Sequence, residues 1–281
     1  MVKVFLGVLL LCFSLFGDDF EVQSQEDDLT AKIKIFVTPK YYEQNRAYID
    51  ILFSPKSDYY TNDRVNPIKV VQTLKENGLL NLFFKKPKEL TLHFKTNGSP
   101  LFFTKMMGDT LRNIGYYRYV TKESTLNSFE FIWTITLNSE YATDPLILQK
   151  ALAKSGCSIV DIERSSATNW SYTIDIENGY LNLATLHDGE ELKLKRSLYA
   201  HWLNVSKINN LYIHSSFRNH WYPYISYYDS SLHLLKVIRY DFKRRDIALN
   251  VPSNANYIKI SDIYTLKNIK NGLVLTPSGE R

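Results

Sequence analysis

The chain has 281 residues, carries 34 Lys and Arg against 29 Asp and Glu for a formal charge of +5, and is 44% hydrophobic, 14% aromatic and 22% charged. So aromatic and moderately charged a composition excludes intrinsic disorder over most of its length. The small positive excess, without a long basic stripe, excludes nucleic acid as the expected partner.

Met1 to Gly17 reads as a secretory signal peptide. Lys3 supplies the positive start, and Val4 to Phe16 is an apolar run free of charge, shorter than the roughly 20 residues that hold a helix across a bilayer. Cleavage after Ser14 or after Gly17 fits equally, and either predicts a periplasmic or secreted protein with no stable membrane insertion. Cys12 leaves with the signal, because Leu9-Leu10-Leu11 replaces the small residue a lipidation site requires. Cys157 then remains alone, without an intrachain disulfide partner, and reads as a small buried apolar residue.

Residues 18–30 are acidic and polar and read as a flexible lead-in. Lys32 to Val37 and Ala47 to Phe53 alternate in the manner of strands and predict a first hairpin, joined through Pro39 to Arg46.

A unit then occurs three times. Asn66-Pro67, Ser99-Pro100 and Asp144-Pro145 each open an apolar helical stretch, and Gly78, Gly115 and Gly156 close them. A side-chain oxygen accepts an orphan N–H at each start, Pro sits where no donor is needed, and glycine makes the matching stop. The core faces are predicted as Val70, Val71 and Leu74, then Phe103, Met107, Leu111 and Ile114, then Ile147, Leu148, Ala151 and Leu152. Each helix leads into a strand pair: Leu82–Phe84 with Glu89–Phe94, Tyr117–Thr121 with Phe129–Leu137, and Ser158–Glu163 with Ser171–Ile176.

After Asn178-Gly179 the pattern turns to short strands alone, seven between Glu191 and Ser261, as in a β-sandwich. The fold class expected is therefore α+β: repeated αββ modules, each a helix over a hairpin sheet, over 31–177, then an all-β sandwich over 180–268 and a C-terminal tail over 269–281.

Two resemblances follow from these residues. In element order and Pro/Gly punctuation, residues 65–177 resemble the αββ modules of secretin N-domains and polypeptide-transport-associated domains. Tyr227-Tyr228-Asp229-Ser230, followed by Val251-Pro252-Ser253-Asn254-Ala255-Asn256-Tyr257-Ile258-Lys259-Ile260-Ser261, is similar to the paired signature of galactose-binding-like jelly rolls. That likeness implies a jelly-roll sandwich that binds sugars or neighbouring domains.

The candidate binding residues are Arg218, His220, Trp221 and Tyr222, which gather a cation, an imidazole and two aromatic planes in one segment, the chemistry that stacks on and hydrogen-bonds a sugar. The competing reading is that these aromatics plug the end of the sandwich. Alternation sends Tyr222 and Tyr224 to one face and Trp221 to the other; with Tyr224 in the core, Trp221 is expected outside. The six histidines form no metal-ligand spacing, Asp188, Glu190 and Glu191 read as a hydrated turn rather than a calcium site, and neither an active-site elbow nor a phosphate loop is present. No metal, cofactor or catalytic residue is expected. The function expected is an exported, non-catalytic adaptor or scaffold of an envelope assembly such as a secretion or flagellar apparatus, its partner an envelope protein or a glycan. The alternatives are a carbohydrate-binding protein acting through the jelly roll, and an envelope hydrolase.

Overall fold

The computed structural model describes residues 27–281, so the apolar Met1–Gly17 run and most of the acidic lead-in lie outside the described residues. Within them the chain is α+β, with six α-helices and four β-sheets.

The expected first hairpin is helical. Asp27 accepts a hydrogen bond from the Thr30 N–H (2.8 Å) and starts α1 (Asp28–Val37), followed by α2 (Pro39–Gln44) and α3 (Arg46–Leu52). In α1 the buried residues are Leu29, Ile33, Phe36 and Val37, a spacing of four, three and one that only a helix brings to one side. Ile49 and Phe53 are buried while Ile51 between them is 73% exposed, whereas a strand would put all three on one face. A six-residue window satisfied both periods, and Leu29, just upstream of it, selects the helix. Asp27 and Asp28 thus begin an ordered element rather than a lead-in.

A two-stranded ribbon, β1 (Tyr60–Thr61) with β2 (Arg64–Val65), precedes the three punctuated helices α4 (Pro67–Glu76), α5 (Pro100–Asn113) and α6 (Pro145–Ala153). Their starts are capped as read: Asn66 accepts from the Ile68 and Lys69 N–H groups, Ser99 from that of Phe102 and Asp144 from that of Leu146. Gly78, Gly115 and Gly156 all lie at positive φ, at 69°, 101° and 68°, the left-handed stop that glycine adopts without strain. Gly156 is doubly required, since a Cβ there would lie 2.5 Å from the Asn178 carbonyl oxygen. Of the predicted core positions Ile147 is the exception, 54% exposed.

These helices lie against one five-stranded sheet of β3 (Phe83–Thr96), β4 (Val120–Leu126), β5 (Phe131–Tyr141), β6 (Ser158–Ser166) and β7 (Asn169–Asp175), in the order β4-β5-β3-β7-β6. The second and third helices are each followed by two strands. The first is followed by one: Pro87 only interrupts the ladder between Phe83 and Lys88, with no Gly, Asn or Asp beside it to complete a turn, and the chain runs straight on. β3 pairs antiparallel with β5 and parallel with β7, Thr91 meeting Asn169. Leu90, Leu92 and Phe94, with Trp133, Ile135, Trp170 and Tyr172, form one apolar cluster with the helices.

The seven strands expected beyond residue 178 are present as β8 (Leu192–Leu194), β9 (His201–Asn204), β10 (Ile208–Ser215), β11 (Pro223–Tyr228), β12 (Leu234–Arg239), β13 (Asp246–Asn250) and β14 (Tyr257–Asp262). An eighth, β15 (Leu273–Glu280), occupies the expected tail: it pairs β10 on one side and β8 on the other, and Leu273 and Leu275 are buried. Its one-apart apolar residues continue the period of two past the η-turn at Leu266–Ile269. Two four-stranded sheets result, β13-β10-β15-β8 and β12-β11-β14-β9, and their inward residues share a second apolar cluster. The two halves of the chain are pinned together where the boundary was expected: the Leu181 N–H donates to the Tyr257 hydroxyl (3.1 Å), and the Ser99 hydroxyl, besides capping α5, donates to the Ser231 carbonyl (2.9 Å).

Candidate functional site

The predicted binding residues do not form one platform. Trp221 is 1% exposed, packs in the second apolar cluster and donates its indole N–H to the Ser261 carbonyl (2.9 Å). Tyr222 is half-buried and meets Tyr264 edge to face, 5.0 Å between ring centroids. Arg218 and His220 are exposed. Alternation holds, but its phase is the reverse of the expected one: Ile225 and Tyr227 are fully buried, so Trp221 and Pro223 point inward with them while Tyr222 and Tyr224 are only half-buried.

The segment is latched from behind. Asp262 accepts from the Tyr222 N–H on one carboxylate oxygen (2.8 Å), and from the Tyr264 and Thr265 N–H groups and the Asn268 side chain on the other. Asn219 donates to Ser215 Oγ and the Gly272 carbonyl and accepts from the Asn271 N–H. This is a corner of the fold, with its polar groups already paired.

Concave chemistry lies elsewhere, at the seam between the halves. A cleft of about 550 Å³ opens between α5 and β9. Lys105 and Arg112, two turns apart on α5, both bind Asp109 between them. Lys105 Nζ stands 5.1 Å from the Trp202 ring centre, Lys259 Nζ 5.7 Å from it, and the Arg112 guanidinium 5.1 Å from the Tyr199 ring. Burial pulls the Lys105 ammonium below its usual range despite the hydrogen bond to Asp109, and burial likewise lowers His201, favouring its neutral form. A second cleft, of about 450 Å³, lies on the far side of β8 and is lined by Lys193, Lys195, Arg196 and Lys270, with His214 beside them. Leu194 lines both. His214 is held by Asp246 (2.7 Å), whose carboxyl sits below the ordinary range because the Tyr212 hydroxyl and that imidazole both bond it.

A third feature is an edge. All seven residues of β4 are exposed, and β4 is the terminal strand of its sheet. Val120 and Leu126 are 64% and 67% exposed, and Phe129, in the turn to β5, is 86% exposed.

Among the described residues no three His, Cys, Asp or Glu side chains come together as metal ligands. Cys157 is buried and burial raises its thiol to about 11, away from nucleophilic reactivity. Asp188 bonds the Gly279 N–H and Glu191 pairs with Lys193, so the acidic turn serves the strands beside it. Sequence reasoning missed the seam, whose groups run from Lys105 to Lys259. The one local signal was Lys193-Leu194-Lys195-Arg196 followed by Leu198-Tyr199. The chain matches no family model, no curated protein and no solved structure.

Proposed function

We propose that this protein is an exported, non-catalytic adaptor of the periplasm or cell envelope, serving an assembly such as a secretion or flagellar apparatus and receiving a protein partner as an added strand along β4. The observation that carries this reading is the edge itself. A terminal strand offers unpaired N–H and C=O groups to an incoming chain, and exposed Val120, Leu126 and Phe129 offer apolar contacts beside them. Lys122 and Glu123 at mid-strand are the charges that keep such an edge from pairing indiscriminately. On this reading the stretches opened by Ser99 and Asp144 are αββ modules, similar to those of secretin N-domains and polypeptide-transport-associated domains, fused along one sheet with the helix opened by Asn66 and its single strand β3, and the eight C-terminal strands are a galactose-binding-like jelly roll.

The test is site-specific photo-crosslinking in cells that produce the full chain. A photoreactive residue at Thr125 is expected to give one discrete protein adduct that Leu126→Asp/Phe129→Asp abolishes, while that double variant keeps its melting temperature within about 2 °C, as surface changes do. An adduct insensitive to the double variant, or obtained equally from β12, overturns strand addition at β4. Export is tested separately: the amino terminus of envelope-associated protein is expected within a few residues of Asp18, and recovery of the chain with Met1 in the cytosol overturns it.

A further inference from the structure

We propose that the two clefts flanking β8 form one continuous track that binds an acidic polysaccharide, a polymer of pyranose rings bearing carboxylates. Lys105, Arg112 and Lys259 line one end; Lys193, Lys195, Arg196 and Lys270 line the other; and Leu194 belongs to both. Against these seven cations the lining residues offer a single carboxylate, Asp109. Residues 27–281 carry 33 Lys and Arg against 25 Asp and Glu, so this excess of six is most of their net +8 and the positive field is concentrated on this track. Such concentration within concave walls focuses the potential on an anionic ligand.

The aromatics define the class. Tyr199 is 60% exposed, with Arg112 on it and the rest of the ring open. Trp202 is flanked by Lys105 and Lys259. Both rings lie in the cleft between α5 and β9, Tyr199 open beside Arg112 and Trp202 covered by Lys105, Lys259 and Tyr228, so the apolar face of one sugar ring stacks on Tyr199 while carboxylates along the polymer meet the Lys and Arg of both clefts. A bilayer surface would meet the exposed Lys193, Lys195, Arg196 and Lys270 but not the half-buried Lys105, Arg112 and Lys259 of the other cleft. Single-stranded nucleic acid also uses rings and cations; the polysaccharide is favoured because an exported protein meets glycans, so the choice of polymer rests on the export reading. The site differs from the one expected around Trp221.

The experiment uses the purified full chain and polygalacturonate, with dextran, single-stranded poly(dT) and phosphatidylglycerol vesicles as comparisons. Saturable binding to polygalacturonate is expected, weakening as salt rises, with dextran unbound. Lys195→Glu/Arg196→Glu and Lys259→Glu, at opposite ends, are each expected to weaken it about tenfold, equivalent to 1.4 kcal/mol, and Tyr199→Ala about fivefold. Lys243→Glu/Arg244→Glu, in the densest basic run but outside the track, is expected to leave it unchanged. Because Lys195, Arg196, Tyr199, Lys243 and Arg244 are exposed, circular dichroism is expected to be the same for their variants, and the half-buried Lys259 is read beside Lys259→Gln, which keeps most of the side chain's length without its charge. The proposal is overturned by absence of polygalacturonate binding, by equal loss in the Lys243/Arg244 variant, or by tighter binding to poly(dT) or to vesicles. Since the assay is independent of cell location, its failure is separable from a failure of export.

Discussion

Trp221→Ala is expected to destabilise the C-terminal sheets by about 3–5 kcal/mol, the cost of removing a large buried aromatic. The side chain is 1% exposed and shares its cluster with Ile225, Tyr227, Ile258 and Ile260, drawn from the sheet beside it. Its removal leaves a cavity and strips the Ser261 carbonyl of its indole donor. Against a total stability of about 5–15 kcal/mol, that loss brings the fold close to its midpoint at 37 °C. Trp221→Phe refills most of the volume and loses only the hydrogen bond, so about 1–2 kcal/mol is expected. Urea unfolding followed by near-ultraviolet circular dichroism measures both. A thermally silent Trp221→Ala would return the residue to the surface and restore the aromatic-platform reading.

Asp262→Ala is the second large effect, about 3 kcal/mol. Asp262 is 7% exposed and accepts four hydrogen bonds, three on one oxygen and one on the other. Deleting it leaves the part-buried N–H groups of Tyr222, Tyr264 and Thr265 without their acceptor; a fully buried orphaned donor costs about 1–3 kcal/mol, and the sum here is less than additive because water and loop relaxation replace part of the loss. Asp262→Asn keeps the three-donor oxygen and opposes an amide to the Tyr222 N–H, so about half the loss is expected. The variants also separate by proteolysis: Asp262→Ala frees the backbone of the corner for tryptic cleavage at the already exposed Arg218, whereas Asp262→Asn keeps it held. Equal stability of Asp262→Ala and the parent would show the network to be replaceable by water.

The elements most legible in the sequence were those fixed by local chemistry. Asn66, Ser99 and Asp144 cap helices because a short polar side chain followed by Pro does so in most surroundings, and Gly78, Gly115 and Gly156 stop them because their backbone is left-handed. The C-terminal strands were legible because one buried face enforces a period of two. Where two periods fitted one short window, as at Lys32–Val37, the decision lay in Leu29 and in packing outside the window. The candidate site was less legible still. The phase of Trp221 depends on which of its neighbours the opposite sheet covers, and alternation alone is silent on that. Lys105, Tyr199 and Lys259 meet only because α5 is laid against β9, a tertiary fact with no sequence period.

The parallel pairing of β3 with β7 bears on how the molecule can be made. A chain delivered amino terminus first, by a ribosome or through a translocation pore, releases β3, β4 and β5 well before β7, whose Asn169 must reach Thr91. Until then the nascent three-stranded piece has unsatisfied edges on both sides, and Leu90, Leu92 and Phe94 lack the Trp170 and Tyr172 that share their apolar cluster. Closure over so long a loop is entropically slow, so the half-delivered chain is the form most exposed to aggregation and the one a holdase chaperone would meet.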